Sequence, residues 1–184
     1  MRVIAGCAKS RQLKVPKGLK IRPTLDKVKE ALFDILGKDA AVDRALDLYA
    51  GSGSLGIEAI SRGAEYGTFV DNNPKCIKTI KENLASLGFG PKSNVLRLDA
   101  SRALRSLGKV GERFGLVFID PPYGKAKISL QQVAKSDILS PHCVVVVEHY
   151  KKDAVPNEAG PLRMIKAARY GDTVLSFYRS QMKT

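Results

Sequence analysis

Apolar residues along this 184-residue chain fall into short continuous runs separated by segments in which apolar positions recur every three or four residues. The runs predict strands at 45–49, 66–70, 94–99, 115–120 and 143–148, and the segments between them predict helices at 54–62, 73–87, 101–107 and 128–137. Strands that alternate with helices are typical of an open α/β sheet, mostly parallel, with helices on both faces. We therefore expect a ligand at the carboxyl ends of the strands, near the point where the strand order reverses.

The carboxyl end of the chain predicts a different kind of pairing. Residues 163–170 and 173–179 are both strand-like, and only Gly171 and Asp172 separate them. A two-residue link of this type predicts an antiparallel hairpin at the end of the sheet.

The amino end predicts an extension in front of the sheet. The short runs at 1–5 and 11–15 predict a β-hairpin, and helical spacing between Thr24 and Leu36 predicts a helix capped by Thr24. The length favours one domain over 1–184, made of an extension at 1–40 and a Rossmann-like core at 41–184.

The charge balance is strongly positive. Thirty-one Lys plus Arg face 18 Asp plus Glu, a net charge of +13, which favours a polyanionic partner such as nucleic acid. The excess is dense in the first thirty residues, where only Asp26 and Glu30 oppose Arg2, Lys9, Arg11, Lys14, Lys17, Lys20, Arg22, Lys27 and Lys29. No aromatic residues interleave there, so a solvated basic face is the alternative to a nucleic-acid contact.

Several classes of protein are disfavoured. No apolar stretch approaches the about 20 residues that a membrane span needs, and a charge interrupts the amino end before a signal peptide could form. Cys7, Cys76 and Cys143 are odd in number and far apart, which argues against a disulfide framework or a zinc knuckle. His142 and His149 have no ligand-spaced partners. We expect a cytoplasmic monomer without a metal ion.

A glycine-rich turn follows the first core strand. Residues 51–56 form a G-x-G-x-x-G pattern that lets the backbone approach a cofactor closely, although a tight packing turn is the alternative. Asp71 ends the next strand and could bind both hydroxyls of a ribose, in NAD or in S-adenosylmethionine. Asp47 favours the latter, because a carboxylate attracts an ammonium or sulfonium and repels a pyrophosphate. Asp99 could accept a hydrogen bond from an adenine amine or cap a helix.

The fourth core strand ends in Asp120-Pro121-Pro122-Tyr123. The two prolines stiffen the loop and remove two N–H donors, so it presents hydrogen-bond acceptors and an aromatic ring. The Asp120 carboxylate and the Pro121 carbonyl could accept both N–H groups of an exocyclic base amine and aim its lone pair at a methyl donor. Tyr123 could stack on a base extruded from its neighbours. The alternative is a rigid loop with a packing aromatic.

Together these motifs resemble the bacterial small-subunit ribosomal RNA guanine-N2 methyltransferase family, over nearly the whole chain. The resemblance is carried by RVIAG with Lys9, Arg11 and Leu13, by Arg22-Pro23-Thr24 running into DKVKEALFDIL, by DLYAGSGSLGIEAISRGA and by FIDPPY. It implies a class I methyltransferase fold, S-adenosylmethionine as cofactor, and 16S rRNA or the small ribosomal subunit as partner.

The resemblance also implies roles for particular residues. The cofactor would be held by Asp47, Tyr49, Ala50, Gly51, Ser52, Gly53, Asp71, Asn72, Asp99 and Ala100. The target base would be held by Asp120, Pro121, Pro122 and Tyr123, and RNA would contact Arg2, Lys9, Arg11, Lys14 and Arg22. Because adenine-N6 DNA methyltransferases share the D-P-P-Y tetrad, they are the main alternative. A nicotinamide-dependent oxidoreductase and a non-catalytic RNA-binding protein are further ones.

Overall fold

A computed structural model of the protein describes residues 1–18 and 26–182. Its helices are α1 (Asp26–Leu36), α2 (Ser54–Ser61), α3 (Pro74–Leu87), α4 (Ala100–Lys109) and α5 (Ala126–Ala134). Its strands are β1 (Arg44–Asp47), β2 (Tyr66–Asp71), β3 (Ser93–Arg97), β4 (Phe114–Ile119), β5 (Leu139–Tyr150), β6 (Glu158–Ala159), β7 (Leu162–Tyr170) and β8 (Thr173–Ser180). The predicted alternation of strands and helices is confirmed.

All eight strands belong to one sheet, in the order β3-β2-β1-β4-β5-β8-β7-β6. The first five in this order run parallel, and β8 pairs antiparallel with both β5 and β7. The predicted mostly parallel sheet with a carboxyl-terminal hairpin is therefore confirmed. The strand order reverses between β1 and β4, which are neighbours in the sheet.

Both faces of the central strands are buried, as expected for parallel strands covered by helices. One face packs on α1 and α2 through residues that include Leu116, Phe118, Val144 and Val146. The other packs on α4 and α5 through the alternate positions Val117, Ile119, Val145 and Val147. In β2, Phe69 packs with Ile80 of α3, whereas Val70 faces the α4 side. Helix α3 therefore lies on the face opposite α4.

The amino-terminal segment, residues 1–18, forms the predicted antiparallel hairpin in a short form. One β-bridge joins Arg2 and Gln12, and three backbone hydrogen bonds link residues 1–3 with residues 10–13. The Glu58 carboxylate of α2 accepts hydrogen bonds from the next two amides, those of Ile4, at 2.8 Å, and Ala5, at 2.9 Å. The hairpin is thus anchored to the core through α2.

A buried ion cluster completes this anchor. Glu58 is fully buried, accepts a hydrogen bond from Arg62 Nε at 2.8 Å and lies 3.4 Å from Lys29 Nζ. Lys29, also fully buried, donates to the carbonyl of Arg2 at 2.6 Å. Helices α1 and α2 and the amino-terminal segment are therefore joined at one point. The predicted helix start at Thr24 lies outside the described residues.

Candidate active site

Four loops that follow parallel strands leave the sheet at the same edge. They begin after Asp47 in β1, Asp71 in β2, Arg97 in β3 and Ile119 in β4. In the sheet these strands are consecutive neighbours, in the order β3-β2-β1-β4. The residues predicted to bind a cofactor and those predicted to bind a base therefore lie side by side, at the reversal point of the strand order.

The glycine loop connects β1 to α2 with a compact backbone. Gly51 and Gly53 have φ angles of 55° and 80°, which side-chain-bearing residues rarely adopt. A β-carbon on Gly56 would lie 2.4 Å from the Phe69 ring, so this glycine allows α2 to pack on β2. The turn therefore seats α2 on the sheet, and of its first three residues Gly51 is partly exposed whereas Ser52 and Gly53 are buried. The side chain of Ser52 is buried and its hydroxyl donates to the sulfur of Met1.

Asp71 organises the loop from the neighbouring strand. One carboxylate oxygen accepts a hydrogen bond from the Gly51 amide at 2.9 Å, and the other accepts from the Asn73 amide at 2.8 Å. The carboxylate therefore lies against the first glycine of the motif. Asn72, the next residue, is exposed at the same edge.

Asp47 lies beneath the loop and is only 2% exposed. Its carboxylate accepts a hydrogen bond from the Gly56 amide at 3.0 Å, in the first turn of α2. Burial raises the pKa of Asp47 to about 7, and the nearby charge of Asp71 adds to the rise while the Gly56 hydrogen bond opposes it. Besides its predicted contact with a cofactor, Asp47 thus has a clear role in holding the helix start.

Asp99 and Tyr49 each contact one of the helices on the other face of the sheet, α4 and α5. Asp99 caps α4, because its side chain accepts from the Arg102 amide at 2.9 Å, and Ala100 is the first residue of that helix. The Tyr49 hydroxyl lies 2.8 Å from the Ser129 hydroxyl in α5. Burial raises the pKa of Tyr49, and the negative charge of Asp99 adds to this effect. Tyr49 thus joins the glycine loop to the helix that follows the D-P-P-Y tetrad.

The tetrad forms an exposed turn directly after β4. Tyr123 is 68% exposed, and its ring meets that of Tyr150 edge to face, with centroids 5.8 Å apart. Asp153 fixes the far side of the turn by accepting a hydrogen bond from the Gly124 amide at 3.1 Å. Asp120 is half-buried at the strand end. The loop thus presents a carboxylate and a supported aromatic ring next to the glycine loop.

Three of the basic residues predicted to contact nucleic acid lie against the body of the protein. Arg2 lies 3.6 Å from Asp26, Lys14 lies 2.8 Å from Glu82, and Arg11 donates to a backbone carbonyl of α3. Lys9 is exposed. Arg22 lies outside the described residues.

Some contacts at this edge were missed by sequence reasoning. Ser129 and Tyr150 contact the predicted site residues Tyr49 and Tyr123, and Asp153 holds Gly124 just after the tetrad, yet none of the three belongs to a local motif. One feature of the sequence could have indicated Tyr150. It follows the apolar run of β5, and the carboxyl ends of the parallel strands β4 and β5 lie at the same edge of the sheet. Within residues 1–18 and 26–182 there is no group of three or more metal-binding side chains, and no helix there is long and apolar enough to cross a membrane.

The strand order, the antiparallel hairpin beyond β5 and the loops at the reversal point define a class I S-adenosylmethionine-dependent methyltransferase fold. A Salinibacter ruber RNA methyltransferase, solved with S-adenosyl-L-homocysteine, shares this fold with a TM-score of 0.67 at 16% identity, over 89% of this chain and 96% of its own. The chain belongs to the family described as "Conserved hypothetical protein 95", which it matches over residues 1–179. This is the family of small-subunit rRNA methyltransferase D.

Relatives cover most of the chain. It is 41% identical to the Bacillus subtilis protein called "Putative rRNA methyltransferase YlbH", over 98% of this chain and 100% of that protein. It is 32% identical to the Escherichia coli "Ribosomal RNA small subunit methyltransferase D", over 85% of this chain and 78% of that protein. The solved Escherichia coli structure called "Putative methyltransferase yhhF" superposes with a TM-score of 0.86 at 30% identity, over 100% and 99% of the two chains.

Proposed function

We propose that this protein transfers a methyl group from S-adenosylmethionine to the exocyclic N2 amine of a guanine in 16S ribosomal RNA. The observation that carries the proposal is the adjacency of the two loops. The glycine loop and the D-P-P-Y loop follow neighbouring parallel strands, and the Tyr49–Ser129 hydrogen bond joins the glycine loop to α5, the helix that follows the tetrad. One cleft can therefore hold a nucleoside donor and a base together.

The residues at this edge fit S-adenosylmethionine. Asp47, Asp71 and Asp99 place three carboxylates at neighbouring strand ends, in a chain whose net charge is +13. Acidic groups in this position suit a ligand with an ammonium, a sulfonium and ribose hydroxyls, and they disfavour a pyrophosphate. Asp71 would hold the ribose and Asp99 the adenine amine, with the partly exposed Gly51 beside Asp71. When bound, S-adenosylmethionine supplies an electrophilic methyl group.

The chain's own contribution to catalysis is positioning and hydrogen bonding. An exocyclic amine is a poor nucleophile, because its lone pair is delocalised into the ring. The Asp120 carboxylate and the Pro121 carbonyl accept its two N–H groups, which draws the nitrogen toward tetrahedral geometry. Pro122 stiffens the loop, and Tyr123, braced by Tyr150, stacks on the flipped base. Asp120 also accepts the proton that the nitrogen releases.

The choice of substrate is supported by the relatives and by charge. Relatives at 41% and 32% identity are named as rRNA methyltransferases, and the positive charge suits a phosphate-rich partner. Five points remain predictions: guanine N2 as the acceptor, a single domain divided near residue 40, the monomeric state, the cytoplasmic location and the absence of a metal cofactor.

The test is tritiated methyl transfer from S-adenosylmethionine to purified small ribosomal subunits, free 16S rRNA and duplex DNA in parallel, followed by nucleoside analysis. We expect label as N2-methylguanosine in one or both RNA samples. Label as N6-methyladenine in DNA would overturn the substrate and leave the chemistry intact. No label in any sample would overturn the proposed function.

A further inference from the structure

Helix α3 carries a row of lysines on its solvent side. Lys75, Lys78 and Lys81 are all exposed and follow one another at three-residue spacing, so they are neighbours along the helix surface. The buried side of the helix, which includes Ile77, Ile80 and Leu84, faces the core. Glu82 is the only acidic residue in α3.

Two cations of the amino-terminal segment lie against this same helix. Arg11 donates through Nη2 to the carbonyl of Ser86 at 2.6 Å, and Lys14 Nζ lies 2.8 Å from Glu82. The hydrogen bond from Lys14 and the charges of Lys14 and Lys78 lower the pKa of Glu82, which places Lys78 in the same electrostatic neighbourhood. Charges from two parts of the sequence thus converge on one surface.

The segment follows α3 toward its first turn. A β-carbon placed on Gly18 would lie 3.7 Å from Lys75 Nζ. Lys75 comes four residues after Asp71, whose carboxylate holds the Gly51 amide. The row of cations therefore starts at the last turn of α3 and ends beside the candidate cleft.

A buried amide fixes this arrangement. Asn83 is 1% exposed, accepts a hydrogen bond from the Lys14 amide at 2.8 Å and donates to the Lys14 carbonyl at 3.0 Å. It also donates to the carbonyl of Ser52, in the glycine loop, at 3.0 Å. Because these bonds are formed inside the protein, the segment and α3 are held together without a ligand.

We propose that Arg11, Lys14, Lys75, Lys78 and Lys81 form one RNA-binding surface, the α3 strip, which holds the phosphate backbone that leads into the cleft. The inference rests on the proposed RNA methyltransferase function and extends it to a helix outside the family motifs. Five cations with a single carboxylate among them repel one another, and a chain of phosphates relieves this repulsion.

The test removes three charges from the strip and compares an equal change on the other face of the sheet. The strip variant is Lys75→Gln/Lys78→Gln/Lys81→Gln, and the control is Arg105→Gln/Lys109→Gln/Lys135→Gln, whose residues are exposed on α4 and at the end of α5. The Kd for free 16S rRNA is measured across salt concentrations, and methyl transfer is measured at saturating S-adenosylmethionine on the RNA sample, free or in the small subunit, that the wild-type protein methylates.

We expect the strip variant to weaken RNA binding by about tenfold or more near 0.15 M salt. The negative slope of the log association constant against log salt concentration should become less steep by roughly two to three. The KM for RNA rises, whereas kcat and the affinity for S-adenosylmethionine stay unchanged. The control variant stays within about twofold of wild type, because its charges lie outside the proposed RNA path. Equal melting temperatures verify that both variants fold.

Two results would overturn the α3 strip: wild-type RNA affinity in the strip variant, or an equal loss in the control. In either case the wild-type protein still methylates RNA, so the proposed function stands. Failure of the wild-type protein to methylate any RNA overturns the proposed function itself, and the inference with it.

Discussion

Asp120 is half-buried directly after β4, and our proposal places a base amine against its carboxylate. Asp120→Asn keeps the size of the side chain but removes its charge and places an N–H group toward the amine. We expect methyl transfer to fall by about 100-fold or more, since one well-placed hydrogen-bonding group is worth that much in catalysis. Affinities for S-adenosylmethionine and for RNA should change little. Radiolabel transfer and equilibrium binding measure the two effects separately.

The matched control for this substitution is Asp137→Asn. Asp137 is exposed and precedes β5, so it lies at the sheet edge opposite the tetrad. Wild-type activity is expected for it. Full activity in Asp120→Asn would show that the tetrad carboxylate has no part in the reaction.

Asp47 links the candidate site to the pH dependence of stability. Its pKa rises from an ordinary value of 3.8 to about 7 in the folded protein. At a pH between these two pKa values, Asp47 holds a proton in the folded state that it has lost in the unfolded state. The free energy of unfolding therefore falls as pH rises from about 4 to about 7. Above that range its contribution is constant.

The variant Asp47→Asn removes this titration while keeping an acceptor for the Gly56 amide. We expect it to gain stability relative to wild type as pH rises from 4 to 7, by a few kcal/mol at most, at about 1.4 kcal/mol per pKa unit. Urea unfolding at several pH values gives the comparison. Parallel stability curves for the two proteins would contradict the raised pKa.

Single residues were predictable where a motif fixes them to a strand end. Asp71 ends β2, as the apolar run predicts, whereas Asp99 lies two residues beyond β3 and caps α4, the alternative role that the sequence left open. Ser129, Asp153 and Asn83 were not predictable, because each contacts a residue that is distant in the chain. Such contacts depend on how loops and helices pack, which hydrophobic spacing does not encode.

At the scale of elements, the amino-terminal segment depends on a close backbone approach to α2. Gly6 has a φ of 80°, and a β-carbon there would lie 1.7 Å from the carbonyl oxygen of Ser61. Gly6→Ala should therefore displace the segment, because the obstacle is backbone and cannot rotate away. We expect lower stability in urea and faster proteolysis within residues 1–18.

Gly111→Ala is the control, since Gly111 has a similar φ of 76° and no atom within 4 Å of the added carbon. It carries only the conformational strain, about 1–2 kcal/mol. Equal destabilisation by the two substitutions would mean that the contact with Ser61 is unimportant.

The type of most elements was predictable, and their observed ends differ from the predicted ends by a few residues. β5 runs from Leu139 to Tyr150, longer than the predicted 143–148. Its first residue pairs with β4 and its last two pair with β8, and the apolar run at 143–148 gives no sign of either pairing. The two-residue strand β6 has no hydrophobic signal and was missed. The amino-terminal hairpin was predicted, but a short strand-like run could not show that Glu58 accepts hydrogen bonds from the amides of Ile4 and Ala5.

At the scale of the whole molecule, the strand order brings acidic residues together, and their charge favours one adenosine-bearing cofactor over another. Three acids at neighbouring strand ends suit a cationic ligand and repel a pyrophosphate. S-Adenosylmethionine at about 100 times its Kd should add about 2.7 kcal/mol to the stability, which raises Tm by about 5–10 °C. NAD should leave Tm unchanged. Differential scanning fluorimetry distinguishes the two, and a rise with NAD alone would favour an oxidoreductase.

The bonds of Asn83 have a consequence for how this sequence can diverge. At one buried point the side chain must accept one hydrogen bond and donate two. A carboxylate has no N–H to offer, a hydroxyl donates only once, and glutamine is longer by a methylene. A lineage that replaces Asn83 therefore has to rebuild the glycine loop, α3 and the amino-terminal segment at once. The position is thus an evolutionary constraint, although Asn83 has no part in the reaction.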